Sequence, residues 1–144
     1  MTPRERVRVA LSHKEPDRVP IDNNGIVSSI HEVASANLLS HLGYREDVVV
    51  LDAVQRIALN SEAGGTNNQG LFHGALRPME VDTLQRLRDL ATGGGYIFSS
   101  GQNAQANMPA ENLARLFAIG REFGRYPIDA AAINSRIAGL ERKD

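Results

Sequence analysis

The chain has 144 residues, enough for one ordinary domain with its own core, and its 42% hydrophobic and 23% charged content excludes wholesale disorder. A net charge of −1 gives nucleic acid or an anionic membrane no electrostatic hold, and the absence of cysteine excludes disulfides, thiolate metal sites and a thiol nucleophile. The N-terminus is polar and no stretch approaches the ~20 apolar residues of a membrane span, so a soluble, cytoplasmic α/β protein is expected, with a core of aliphatics and alanine.

Thr2-Pro3-Arg4-Glu5 predicts a helix opened by a capping box, with Thr2 as N-cap, proline in the first turn and Glu5 reaching back. Val7, Ala10 and Leu11 form its apolar face, the arginines at 4, 6 and 8 stay solvated, and the helix ends before Pro16. Pro16 to Asp22 reads as a turn feeding a brief extended segment, and Asn23-Asn24-Gly25 as a loop. Ser29 and Glu32 predict a second capping box, on a helix carrying Ile30, Val33, Ala34, Leu38 and Leu42 and ending at Gly43. Val48-Val49-Val50-Leu51 has the continuous β-branched character of a buried parallel strand, and Ala53 to Leu59 is compatible with a helical stretch.

Asn60 to His73 is polar, with glycine at 64, 65, 70 and 74, and reads as a junction. Pro78 is expected to start a helix with Val81, Leu84, Leu87 and Leu90 on its apolar face and Gly93 as its cap. A strand over Tyr96–Ser99 and a polar loop follow. Pro109 then opens a helix whose apolar face is Leu113, Leu116, Phe117, Gly120 and Phe123, stopped by Gly124. Asp129 caps a last helix bearing Ile133, Ile137 and Leu140.

Few residues carry chemistry. Gly93-Gly94-Gly95 could bring backbone amides to an anion, but it lacks a P-loop lysine and dinucleotide spacing; a helix cap with a tight turn into a strand is the commoner use. Ser99-Ser100-Gly101-Gln102-Asn103 lies at a strand's C-terminal end, where α/β proteins bind ligands; it can orient a substrate but holds no group titrating near neutral pH. A loop satisfying its own backbone accounts for it equally well. His13, His31, His41 and His73 show no metal spacing and read as surface histidines, so no metal is expected. Asp22, at a strand end, is the acidic residue placed where a catalytic carboxylate could sit, although loop-capping aspartates are commoner.

Two segments resemble the uroporphyrinogen decarboxylase (URO-D) family. Thr2-Pro3-Arg4-Glu5-Arg6-Val7 through Glu15-Pro16-Asp17-Arg18-Val19-Pro20-Ile21-Asp22, continued by Ser29-Ile30-His31 and Asp52-Ala53-Val54-Gln55, is similar to its N-terminal helix and first barrel segment. Gly65-Thr66-Asn67-Asn68-Gln69 to Pro127 resembles its final passage, in which a Gly-Gly-Gly-Tyr-Ile strand leads into Pro-x-Glu-Asn-Leu and Gly-Arg-Tyr-Pro. The resemblance implies a (β/α)8 TIM barrel, which needs roughly 200–400 residues. The chain therefore reads as a partial barrel in one incomplete domain, with a few parallel strands and flanking helices: an N-terminal segment over 1–59, a junction over 60–74 and a C-terminal segment over 75–144.

The activity implied is decarboxylation of uroporphyrinogen acetates in porphyrin biosynthesis, which needs no cofactor because the protonated pyrrole ring accepts the electrons. For that activity this chain offers Asp22 as the candidate catalytic carboxylate, with Asn24, Gln102 and Asn103 contacting a tetrapyrrole-like substrate. The family's Arg-Gln-Ala-Gly stretch is replaced by Ile21-Asp22-Asn23-Asn24-Gly25, its catalytic aspartate falls in the missing middle, and Gln102 stands at its loop histidine. Impaired catalysis is thus expected. The alternatives are an internally deleted, non-catalytic remnant or interaction module, or a relative of the cobalamin-dependent methyltransferases, whose zinc-binding cysteines are absent. Missing central strands leave parallel edges open, so a homo-oligomer or an aggregation-prone chain is expected.

Overall fold

The computed structural model describes residues 1–22, 30–45, 50–52, 57–58, 75–99 and 104–142. Over these the chain is a helix-rich α/β fold with short strands. The elements are α1 (Pro3–Leu11), β1 (Ile21–Asp22), β2 (Ile30–His31), α2 (Glu32–His41), β3 (Val50–Asp52), β4 (Ile57–Ala58), α3 (Leu76–Ala91), β5 (Phe98–Ser99), α4 (Ala110–Phe123) and α5 (Ala130–Glu141). Among the described residues no helix is long and apolar enough to cross a membrane. Residues 60–74, the expected junction, lie outside the described residues.

α1 begins as its sequence requires. Thr2 Oγ1 accepts from Glu5 N at 3.3 Å, and Glu5 Oε2 accepts from Thr2 N at 2.8 Å. Its arginines do not all stay in solvent: Arg6 is buried beside Ala10, and its guanidinium donates to both carboxylate oxygens of Asp17, at 2.7 and 2.8 Å. The expected apolar Leu11 is exposed instead. The helix has turned its i, i+4 pair of residues 6 and 10 inward, because Asp17 offers Arg6 a partner for its charge.

α3, α4 and α5 supply most of the core. α3 packs on both others, and α2 packs on α4. Leu84, Leu87, Leu113, Leu116, Ile119 and Ile133 form the centre of one buried cluster with Phe98. α3 starts at Leu76, two residues before Pro78, which a first turn tolerates because its N–H would have no partner there. Its buried face is Met79, Glu80, Thr83, Leu84, Leu87 and Ala91, whereas Leu90 is exposed. A spacing of three drifts around a helix of 3.6 residues per turn, so the expected row 81–84–87–90 does not stay on one face. Glu80 is buried between two arginines: Arg115 Nε of α4 donates to Oε1, and Arg136 Nη2 of α5 lies 3.2 Å from it. On α5, Asp129 Oδ1 accepts from Ala132 N at 2.9 Å, and Ile133, Ile137 and Leu140 are buried, as expected.

The strands depart from an all-parallel arrangement. β1 and β5 pair in parallel, but β2, β4 and β3 form an antiparallel sheet in that order. Ile57–Ala58, expected to be helical, is the central strand of that sheet, where a β-branched residue fits the pleat. Val50 and Leu51 of the expected parallel strand lie in β3, antiparallel to β4; residues 46–49 lie outside the described residues. Ile30, expected inside a helix, is in β2, fully buried and paired with Ala58. That pairing delays α2 by two residues and makes His31, not Ser29, its N-cap.

The glycine run closes α3 and turns the chain against residues 13–15, just after α1. Gly93, Gly94 and Gly95 all have positive φ. A Cβ on Gly94 would lie 2.5 Å from the Lys14 carbonyl carbon, so both φ and the close approach require glycine. Gly93 N donates to Glu15 Oε1 at 3.1 Å and Gly94 N to Ala91 O at 3.0 Å. These two amides are thus used by the protein's own acceptors, a structural role.

Candidate functional site

Two remote parts of the sequence meet at β1 and β5. Pro20 O accepts from Phe98 N at 2.9 Å, and the register sets Ile21 against Phe98 and Asp22 against Ser99. Phe98 anchors the pair: it is fully buried, Tyr96 meets its ring edge-on at 6.3 Å, and α4 approaches it at Gly120. Because the pairing is parallel, both strands present their C-terminal ends on the same side. Asp22 and Ser99 are those ends.

The chain comes together again one step further on. Ile30 forms a parallel bridge with Ala104, and His31 N donates to Ala104 O at 2.6 Å. The chain flanking residues 23–29 is therefore joined to the chain flanking residues 100–103 at both ends: Asp22 with Ser99, and Ile30–His31 with Ala104. Of the site residues expected from sequence, Asp22 lies in β1 at this double junction. Asn24, Gln102 and Asn103 lie outside the described residues.

His31 is brought to the junction although its sequence context places it on a helix surface. Its backbone pairs with Ile57 and bonds Ala104, and its Nδ1 accepts from Val33 N at 3.2 Å. A ring nitrogen that accepts leaves Nε2 to carry the proton of the neutral ring. The capping motif that begins at Ser29 conceals this role. Ile30 was the one legible signal, as a β-branched residue before a polar one that can cap.

Tyr126 is at the other end of the parallel pair, where the chain approaches β1: its N–H donates to Asp17 O at 3.2 Å. Its hydroxyl is buried without a hydrogen-bond partner among the described residues. Burial, reinforced by the nearby Glu15 carboxylate and Tyr96, pushes this hydroxyl up to about 12, so it does not exchange protons at neutral pH. Among the described residues no group of three or more His, Asp or Glu side chains is clustered to hold a metal ion. Among the described residues the strand ends bring together the backbones of Asp22, Ser99, His31 and Ala104.

Compared with models of protein families, with curated proteins and with solved structures, the chain matches none.

Proposed function

We propose that the chain is a protein of the uroporphyrinogen decarboxylase family, a partial TIM barrel whose first and last βα units lie side by side. It binds a carboxylate-bearing, tetrapyrrole-like substrate at the C-terminal ends of β1 and β5. The observation that carries this proposal is the parallel register of Asp22 with Ser99: in a closed (β/α)8 barrel the first and last strands are parallel neighbours, and the C-terminal face holds the site. The resemblance of the two chain segments to the two ends of that family's barrel supports the same arrangement.

In this proposal Asp22 is the residue that serves the substrate's pyrrole N–H groups. A carboxylate there stabilises the positive charge that the ring gains on carbon protonation. The bond from the acetate's methylene to its carboxyl group then breaks, CO2 leaves, and the electron pair passes into the protonated ring as an exocyclic double bond. The methylene carbon then takes a proton and the ring loses the one it gained, leaving a methyl group. Asn24, Gln102 and Asn103 orient the substrate through neutral hydrogen bonds. Catalysis is weak, because three of these four positions carry amides that cannot move protons. The same amides favour a second reading, a remnant that binds but does not turn over.

The deciding assay is chromatographic detection of decarboxylated products from uroporphyrinogen with the purified chain. Slow turnover, reduced at least about 100-fold by Asp22→Asn, is expected if the enzyme reading holds. Binding of uroporphyrin without turnover favours the remnant. Neither binding nor turnover by the folded protein would overturn both.

A further inference from the structure

We infer that the pocket formed by Arg18, Arg121 and Arg125, on the side of the parallel pair away from Asp22 and Ser99, is a binding site for a small polyanion bearing phosphate or carboxylate groups. The cavity is about 460 Å3 and is lined by these three arginines and Asp17. That volume falls in the range of small-molecule sites. It does not depend on the proposed decarboxylase site, since the chain runs from the Arg18 bridge through Val19 and Pro20 into β1, which ends at Asp22.

The backbone forces the arginines together. Arg18 and Arg125 form an antiparallel bridge, and the bonds on either side of it, Val19 N to Gly124 O at 2.7 Å and Tyr126 N to Asp17 O at 3.2 Å, belong to their neighbours. Arg18 and Arg125 are therefore a non-hydrogen-bonded pair, the type whose Cα atoms approach to about 4.5 Å and whose side chains lie closest. Like charges directly opposite one another destabilise such a pair. Arg121, in the last turn of α4, adds a third cation to the same pocket.

The carboxylate in the wall does not offset this charge. Asp17 already accepts two bonds from Arg6 and one from Arg18 N at 3.0 Å. Among the described residues neither the Arg18 nor the Arg125 guanidinium has a hydrogen bond or ion pair. A chain of net charge −1 thus places two guanidinium groups without side-chain partners among the described residues, those of Arg18 and Arg125, in one concavity. Guanidinium groups recognise planar or tetrahedral oxyanions through paired N–H donors, and a multiply charged oxyanion would satisfy several at once.

The test is calorimetric titration of the full chain at low ionic strength with inorganic pyrophosphate and, separately, citrate. Saturable binding of at least one probe is expected, weakened tenfold or more in the Arg18→Gln/Arg125→Gln double variant and unchanged in Arg45→Gln, which alters charge outside the pocket. A preference for pyrophosphate points to a phosphorylated ligand, and a preference for citrate to a polycarboxylate. A thermal melt keeps the result interpretable: without probe, the double variant should melt no lower than the wild type, because a like-charge pair has been removed. Binding by neither probe, or equal binding by the double variant, would overturn the proposal.

Discussion

Arg6 and Asp17 show how one pair of side chains ties the start of the chain to the approach to β1. The two hydrogen bonds from Arg6 hold the Asp17 carboxyl well below the usual carboxylate range. In the unfolded chain an aspartate titrates near ~3.9. The folded state therefore binds fewer protons than the unfolded state in acid, and the stabilisation is complete above that value. It is lost as pH falls through ~3.9 toward the depressed folded value. Asp17→Asn should remove this part of the acid limb, seen as a flatter dependence of melting temperature on pH below about 4. Loss at neutral pH should be modest, about 1–2 kcal/mol, because Asp17 is partly exposed and solvent screens the pair. The same residue scale explains what could be read in advance. The Thr2–Glu5 box and the Asp129 cap depend only on neighbours three residues away, whereas the burial of Arg6 depends on a partner eleven residues on.

Between elements, two contacts of α4 decide how the helices meet the parallel strands. Gly120 is buried, and a Cβ there would lie 2.9 Å from Phe98 Cε1. The Phe98 ring is itself fully buried and has nowhere to retreat. Gly120→Ala should therefore cost about 1–3 kcal/mol, despite the better helix propensity of alanine, measurable by urea denaturation. If the variant is as stable as the wild type, α4 does not seat on Phe98. Glu80 is the second contact, joining α3 to α4 through Arg115 and to α5 through Arg136. Glu80→Ala leaves Arg115 with only its Glu122 partner in a half-buried setting and should cost about 2–3 kcal/mol, less than for a fully enclosed pair. Glu80→Gln should recover part of this, because an amide oxygen still accepts from arginine. Neither role was visible in sequence: Gly120 reads as a residue on an apolar face, and no local pattern singles out Glu80.

Across the whole molecule, the described strands end with open edges. β1 and β5 have only each other as neighbours among the described residues, although two-stranded parallel pairs are rarely stable alone. Leu11, Leu42, Tyr44 and Leu90 add exposed apolar side chains. The chain is expected to self-associate, giving a mass by light scattering above 15.7 kDa that rises with concentration. A sharp monomer peak with one cooperative melting transition would count against this and against open strand edges as its cause.

Sequence alone located α1, α3, α4 and α5 and the stops at Gly43, Gly93 and Gly124, because capping boxes, positive-φ glycines and 3.6-residue periodicity act over a few residues; it misplaced the start of α2 and read Ile57–Ala58 as helix. It also placed Asp22 and the stretch from Ser99 at strand ends. Tertiary structure alone decided that those two ends lie side by side, that β2, β3 and β4 pair antiparallel, that His31 comes to Ala104, and that Arg18 faces Arg125. Each of these is a backbone pairing between segments distant in sequence. Its free energy depends on both partners and on the core that holds them, and neither local propensity nor periodicity records it.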